Sequence, residues 1–442
     1  MPTAPAKDDP RTVFGWCMYD WANSAYITTA VGLLPIFFAS TIVPKGGAVL
    51  FGNTYRADTL WGFTVGLAGI ISFIIAPILG SIADFSAAKK KFLLGFAYTG
   101  SLFCMMLYFV HSGDVILTLA IFLVSQLGFV NANIFYDAFL PHVSSDAQMD
   151  RTSAKGYAYG YIGGGLQFAV ALALVSLNDR FGLAKEHAAR IGIAMAGLWW
   201  LVFTIYSMRF IHEAAPMEPL PDKYRGNSAW LAYLRVGLTR TWSTTVRAAR
   251  FKHLVLFLLA FMMYNEGIQT VINMATTYGT VELKLPASAL MLTLLIIQFV
   301  AFPGSLLFSW FAGKIGTRRS IILALLIWCG VVVYAYFMTT TTQFFALGVI
   351  VGVAMGGSQS LSRSYYGSMI PAEASAEFFG FYTVFSKFSA IWGPWVFALI
   401  THFAQSARTA IVSLVVFFVI GVILLSLVDE QQARSAKLEG AF

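Results

Sequence analysis

The residues able to do chemistry stand out because almost everything around them is apolar. Asp20 lies about seven residues into the first long apolar run, roughly 10 Å along a helix rising 1.5 Å per residue. Asn23 follows at i+3, with Tyr26 one turn further. In a seventh run, Glu266, Gln269 and Asn273 are spaced i, i+3, i+7 and share one helical stripe. The fourth run carries Asn133 and Asp137 at i,i+4, the tenth carries Gln359 and Arg363 at the same spacing, and Lys387 lies well inside the eleventh. Ionisable groups in such runs are costly and face a cavity or a partner. A cavity holding both signs suits a zwitterion. Arg363 or Lys387 would take its carboxylate, and Asp20 and Glu266 its amine or a proton, since a desolvated carboxylate can have its pKa raised. A plainer reading stands beside this one: Asp20, Asp137, Glu266, Arg363 and Lys387 pair with one another, and the amides bond between helices.

Other chemistries find little support. Cys17, Cys104 and Cys329 fall in separate apolar runs, which fits neither a disulfide framework nor a zinc site. The histidines lie near the ends of apolar runs or in loops, no nucleophile-elbow sequence occurs, and no phosphate-cradling glycine loop is present. The expectation is a protein that is not an enzyme and needs no metal or cofactor.

The elements that must position these residues are set by composition. The chain has 442 residues, 58% hydrophobic and 11% charged, with a mean hydropathy of +0.72. Soluble domains carry roughly 25% charged residues, so lipid is the solvent that this surface requires. The net charge of +8 does not point to nucleic acid, because Lys and Arg cluster in short segments between apolar runs. A span needs about 20 apolar residues. Candidates lie near 13–39, 59–82, 92–111, 115–140, 155–177, 190–211, 253–279, 287–312, 320–338, 343–370, 377–401 and 408–428. Placing both termini in the cytoplasm puts most of the basic residues there, as the positive-inside rule prefers. No cleavable signal peptide is expected before the first span. The sizeable break is 212–252, opening on Pro216, Pro219 and Pro221. There Trp230, Leu234, Leu238, Trp242 and Val246 recur every fourth residue among arginines, which predicts a basic amphipathic helix on the membrane surface.

The chain also repeats itself. Gly80-Ser-Ile-Ala-Asp84, followed by Lys89-Lys90-Lys91, answers Ala312-Gly313-Lys314-Ile-Gly316 with Arg318-Arg319. Phe135-Tyr136 ahead of Leu140-Pro141 answers Tyr365-Tyr366 ahead of Ile370-Pro371, which gives Asn133 and Arg363 equivalent positions. Met18-Tyr19-Asp20 answers Met263-Tyr264-Asn265. Duplicated halves fit transporters whose parts rock about a central site. The division expected is 1–211, a linker 212–252, and 253–442.

The turn after the second span resembles the signature loop of the major facilitator superfamily through Gly80, Asp84 and Lys89 to Lys91, with Ala87 where a glycine is usual and Phe85 where a basic residue is usual. Tyr19-Asp20-Trp21-Ala22-Asn23-Ser24-Ala25-Tyr26 is similar to the hallmark of the autophagy-associated vacuolar amino-acid effluxers and their bacterial relatives. Blocks 135–141, 160–165, 356–364 and 377–382, with Lys387, carry the same likeness. The resemblance implies an all-α major facilitator fold of twelve transmembrane helices in two pseudo-symmetric halves. It also implies a path lined by spans one, four, seven and ten, and a gating loop of Gly80, Asp84, Lys89 and Lys90. In that fold the aspartate caps a neighbouring helix and latches one conformation. The function implied is secondary active transport of amino acids or related zwitterions, as efflux and with possible proton coupling. The alternatives are export of a lipid or larger amphipathic metabolite, or a membrane sensor that transports nothing. The partners expected are a small solute and the bilayer of a bacterial inner membrane, with the chain acting as a monomer.

Overall fold

The computed structural model of the chain describes residues 6–50, 52–213, 228–249, 251–404 and 406–438. It is built almost wholly of helices. The long ones are α1 (Pro10–Gly32), α2 (Ala57–Ser86), α3 (Lys89–Met106), α4 (Val115–Ala138), α5 (Met149–Ser176) and α6 (Lys185–Ser207). After the linker come α7 (Lys252–Val281), α8 (Ala287–Ile315), α9 (Thr317–Phe337), α10 (Thr341–Met369), α11 (Ser375–Ala404) and α12 (Ala407–Ser426). Among the described residues, 11 helices are long and apolar enough to cross a membrane. The 30-residue α11 stands where the eleventh span is expected, with part of it outside the fully described residues. A short hairpin, Ala48–Leu50 against Asn53–Tyr55, closes the connection between α1 and α2.

Burial separates wall from path. In α10, 67% of the apolar window is buried inside the bundle, against 28% in α8. The outer helices turn Phe63, Ile70, Ile74, Leu102, Ile116 and Trp310 outward, which lipid tolerates and water does not.

Packing repeats between the first six helices and the last six. α1 packs on α5 and α6, as α7 packs on α11 and α12. α3 packs on α4 and α6, as α9 packs on α10 and α12. The seam joins α2 to α11 and α5 to α8, again as an equivalent pair. The turns after α2 and α8 each carry a positive-φ residue at equivalent places, Ala87 (φ 44°) and Gly316 (φ 90°). Both chain ends reach one face of the bundle. Ser145 N–H donates to Asp8 Oδ1 at 3.0 Å, and Lys437 Nζ donates to Asp146 Oδ1 at 2.9 Å. We call this the terminal face.

The amphipathic segment is a helix over Ala229–Ala248. It runs antiparallel to the last turns of α2, with Tyr233 beside Phe85 and Thr241 against Ser81 and Pro77. Pro216, Pro219, Pro221, Lys223, Arg225 and Arg250 lie outside the described residues.

Candidate functional site

Nearest the terminal face, the end of α2 meets the start of α11. Asp84 Oδ1 accepts from Ala376 N–H at 3.2 Å and Oδ2 from Glu377 N–H at 2.8 Å. These are N–H groups of the first turn of α11, which no intrahelical carbonyl satisfies, and a carboxylate there also meets the positive end of the helix dipole. Lys89 Nζ pairs with Asp84 at 2.8 Å and sits 3.0 Å from His142 Nε2, which lies 3.3 Å from Ser375 Oγ. Gly80 lets the helices touch: a Cβ there would overlap the Ala376 carbonyl and come within 2.8 Å of Glu377 Cα. Glu213, just past α6, caps α3 in the same manner, accepting from Lys89 N–H at 2.5 Å and Lys90 N–H at 3.0 Å. Burial pushes its carboxyl above the usual range, against the pull of the Lys90 and Lys89 N–H groups. Lys90 Nζ donates to Ile211 O at 2.8 Å.

Deeper in, Arg363 of α10 crosses to the first six helices. Its Nη1 lies 3.1 Å from both Asp20 Oδ2 and Asp137 Oδ1, and its Nη2 lies 3.1 Å from Asp20 Oδ2. Nε donates to Ser153 Oγ at 3.0 Å and Nη2 to the Ser153 carbonyl at 2.9 Å. The guanidinium lies 4.1 Å from the Tyr157 ring centre and 4.7 Å from that of Trp16. Tyr136 O–H donates to Asp20 Oδ2 at 2.7 Å. Gly156 allows this approach, because a Cβ would come 2.7 Å from Asp20 Oδ2 and 2.9 Å from Arg363 Nη2.

Beyond this cage lies a cavity of about 180 Å³ between the halves, below the roughly 300–1,000 Å³ of drug-sized sites. Asn133, Asp137, Gln269, Gln359 and Lys387 border it, among Tyr157, Phe261, Tyr264 and Tyr382. Lys387 has no acid partner among the described residues. Asn23 donates to Asn133 Oδ1 at 2.7 Å and so backs the wall, and Tyr161 O–H donates to Gln359 Oε1 at 2.9 Å. A larger open cleft, about 500 Å³, lies between Gly316 to Arg319 and 426–431 at the terminal face, apart from this path.

Several expected residues stand elsewhere. The seventh-span stripe divides. Gln269 faces the cavity, whereas Glu266 turns toward α11 and accepts from Gly393 N–H, with Thr270 Oγ1 at 3.4 Å. Asn273 and Tyr26 do not border the cavity; Tyr26 donates to Gln126 Oε1 at 2.9 Å beside Phe129 and Trp200. Asp20 is covered by Arg363 and Tyr136. Residues that sequence reasoning missed include Ser153, Tyr157, Glu377 and Asp150, whose Oδ2 accepts from Thr317 Oγ1 at 2.6 Å. Glu377 and Tyr136 lie in the stretches 377–382 and 135–141 that carry the family likeness, and that likeness was their signal. Ser153 and Tyr157 carried none.

The first half's Asp84 latch, the Arg363 cage and the flanked cavity call for comparison with known transporters. A family model described as "Vacuole effluxer Atg22 like" matches residues 8–438. The chain belongs to the Atg22-like effluxer family. It is 35% identical over 421 residues to a Bacillus subtilis protein described as the uncharacterized MFS-type transporter YxiO, covering 94% of each chain. It is 27% identical over 304 residues to autophagy-related protein 22-1 of Aspergillus fumigatus, covering 64% of this chain but 49% of that one. The fold is similar to the crystal structure of the human organic anion transporter MFSD10, at a TM-score of 0.68, 13% identity and coverage of 95% and 100%. This member of the family is a multi-pass membrane protein and a major facilitator transporter.

Proposed function

We propose that the protein is a secondary active exporter of amino acids or close zwitterionic relatives, working by alternating access and coupled to protons. Twelve spanning helices, in halves 1–211 and 253–442 joined by 212–252, would place the terminal face on the cytoplasmic side of a bacterial inner membrane. The observation that carries the cargo reading is Lys387, an ammonium without an acid partner among the described residues, bordering the same cavity as Asp137 and the amides of Asn133, Asn265, Gln269 and Gln359. The ammonium would hold the cargo carboxylate, and Asn133, Gln269 and Gln359 would orient it. One guanidinium faces two carboxylates in the cage, so a proton or the cargo amine at Asp137 would balance the excess charge.

Counterflow in proteoliposomes tests this, using a panel of labelled amino acids with and without a pH gradient. Lys387→Gln should abolish counterflow and Lys387→Arg retain part of it. Asp137→Asn should remove the response to the gradient. If no amino acid exchanges above protein-free vesicles, the cargo reading is wrong. If Asp137→Asn responds fully to the gradient, the proton is carried elsewhere. Glu266→Gln is the companion test of the other acid.

A further inference from the structure

The linker helix Ala229–Ala248 uses one face on the protein and leaves the other unused. Its inner face is fully engaged. Thr241 Oγ1 lies 2.7 Å from Ser81 Oγ and donates to the Pro77 carbonyl at 3.2 Å. A Cβ on Gly237 would reach Ile82 at 2.7 Å. Arg240 Nε pairs with Glu377 Oε2 at 3.4 Å. Glu377 is the residue whose backbone N–H Asp84 holds, so the helix is tied directly to the latch.

The outer face is a stripe. Leu238, Trp242 and Val246 follow one another at four-residue spacing and are 49%, 73% and 42% exposed. Arg235 falls within the stripe by the same helical geometry, and Arg247 stands at its end, both exposed. The helix contains three arginines and no acid. It rests on α2, which turns Ile70, Phe73 and Ile74 outward, so its stripe continues the lipid-facing band of that helix toward the terminal face. An exposed tryptophan and aliphatics flanked by unbalanced arginines are the surface that a leaflet of anionic lipid fits, with acyl chains against the stripe and headgroups against the guanidiniums.

We propose that the linker helix is an anionic-lipid-binding element that braces the latch at the terminal face. Lipid pins the helix along α2, Arg240 holds Glu377, and the start of α11 stays on Asp84. Anionic lipid thereby favours the state closed at the terminal face. The device is independent of which solute is carried.

Hydrogen exchange on the full chain in nanodiscs tests it, comparing phosphatidylcholine alone with phosphatidylcholine mixed with phosphatidylglycerol. Phosphatidylglycerol should slow exchange several-fold in 229–248 and in 375–382, while 115–138 stays unchanged as a folding control. The double variant Arg235→Gln/Arg247→Gln should lose both responses. Arg240→Gln should keep the response of 229–248 and lose that of 375–382. Equal exchange in the two lipids would overturn the proposal, as would a response that survives the double variant. Protection that instead rises with protein density equally in both lipids would assign the stripe to a second copy of the chain and overturn it too.

Discussion

A guanidinium has five N–H groups, and Arg363 directs all of them at Asp20, Asp137 and Ser153. It has none left for a cargo carboxylate in this state, which is why Lys387 and not Arg363 carries the binding proposal. The cage joins α10 to α1, α4 and α5, so it acts as a latch between the halves. Taking one partner from a buried ion pair costs about 3–5 kcal/mol, because the other charge is left uncompensated. Asp20→Asn and Arg363→Gln should each lower thermal stability in detergent, and the double variant should lose clearly less than their sum, with a coupling of about 0.5–3 kcal/mol. Additive losses would show that the two residues do not act as a pair. Ala87 allows a second measurement. It holds φ 44°, a conformation that costs a non-glycine residue about 1–2 kcal/mol, while its counterpart in the repeat is Gly316. Ala87→Gly should therefore raise stability by about 1 kcal/mol, read as a higher unfolding midpoint; a lower midpoint would mean that the turn has other needs. Sequence made Asp20, Asp137 and Arg363 visible as charges in apolar runs. It offered their pairing as one of two readings but could not choose between them, because that depends on how α1, α4 and α10 converge in space. Ser153 was not legible, since its role comes from position alone.

At the scale of elements, closure of the terminal face depends on how near α2 and α11 can lie. Gly80 faces the backbone of Ala376 and Glu377, and Gly380 faces that of Ala76 and Pro77. A side chain at either place meets main chain, which cannot rotate away. Gly80→Ala should push the helices apart, cost about 1–3 kcal/mol as overpacking does, and expose the start of α11. Faster hydrogen exchange over 375–382 is the readout, and unchanged exchange there would deny Gly80 that role. Asp84→Ala should give the same local opening by another route, losing a helix cap worth about 0.5–2 kcal/mol and leaving Lys89 without its 2.8 Å partner. The apolar runs, the amphipathic linker and the Asp84 turn were legible because each has a period or a motif. The splitting of Glu266 from Gln269 was not. Residues three apart on a helix differ by about 60° in direction at 3.6 residues per turn, and that is enough for one to face a cavity and the other a neighbouring helix.

For the whole molecule, the placement of cross-half bonds decides which way the path points. The Asp84 latch, the Asp150–Thr317 bond, the Lys437–Asp146 pair and the Arg363 cage all join the halves between the cavity and the terminal face. Past the cavity, Gln298 Nε2 of α8 donates to Thr28 Oγ1 of α1 at 3.1 Å, so the halves touch there as well. With these tiers of cross-half bonds on the terminal side, solute is expected to enter from the face opposite the termini. Thr383 borders the cavity and reports on this. With Cys17, Cys104 and Cys329 replaced by alanine, Thr383→Cys in oriented vesicles should react with a membrane-impermeant thiol reagent added to the face opposite the termini, and resist the same reagent from the terminal face. Adding Asp84→Ala and Arg363→Gln together should open labelling from the terminal face, because both tiers of the seal are then lost. Equal labelling from both faces in the parent would mean that the two tiers do not close the path, whereas a parent that reverses the preference would place the seal on the opposite side.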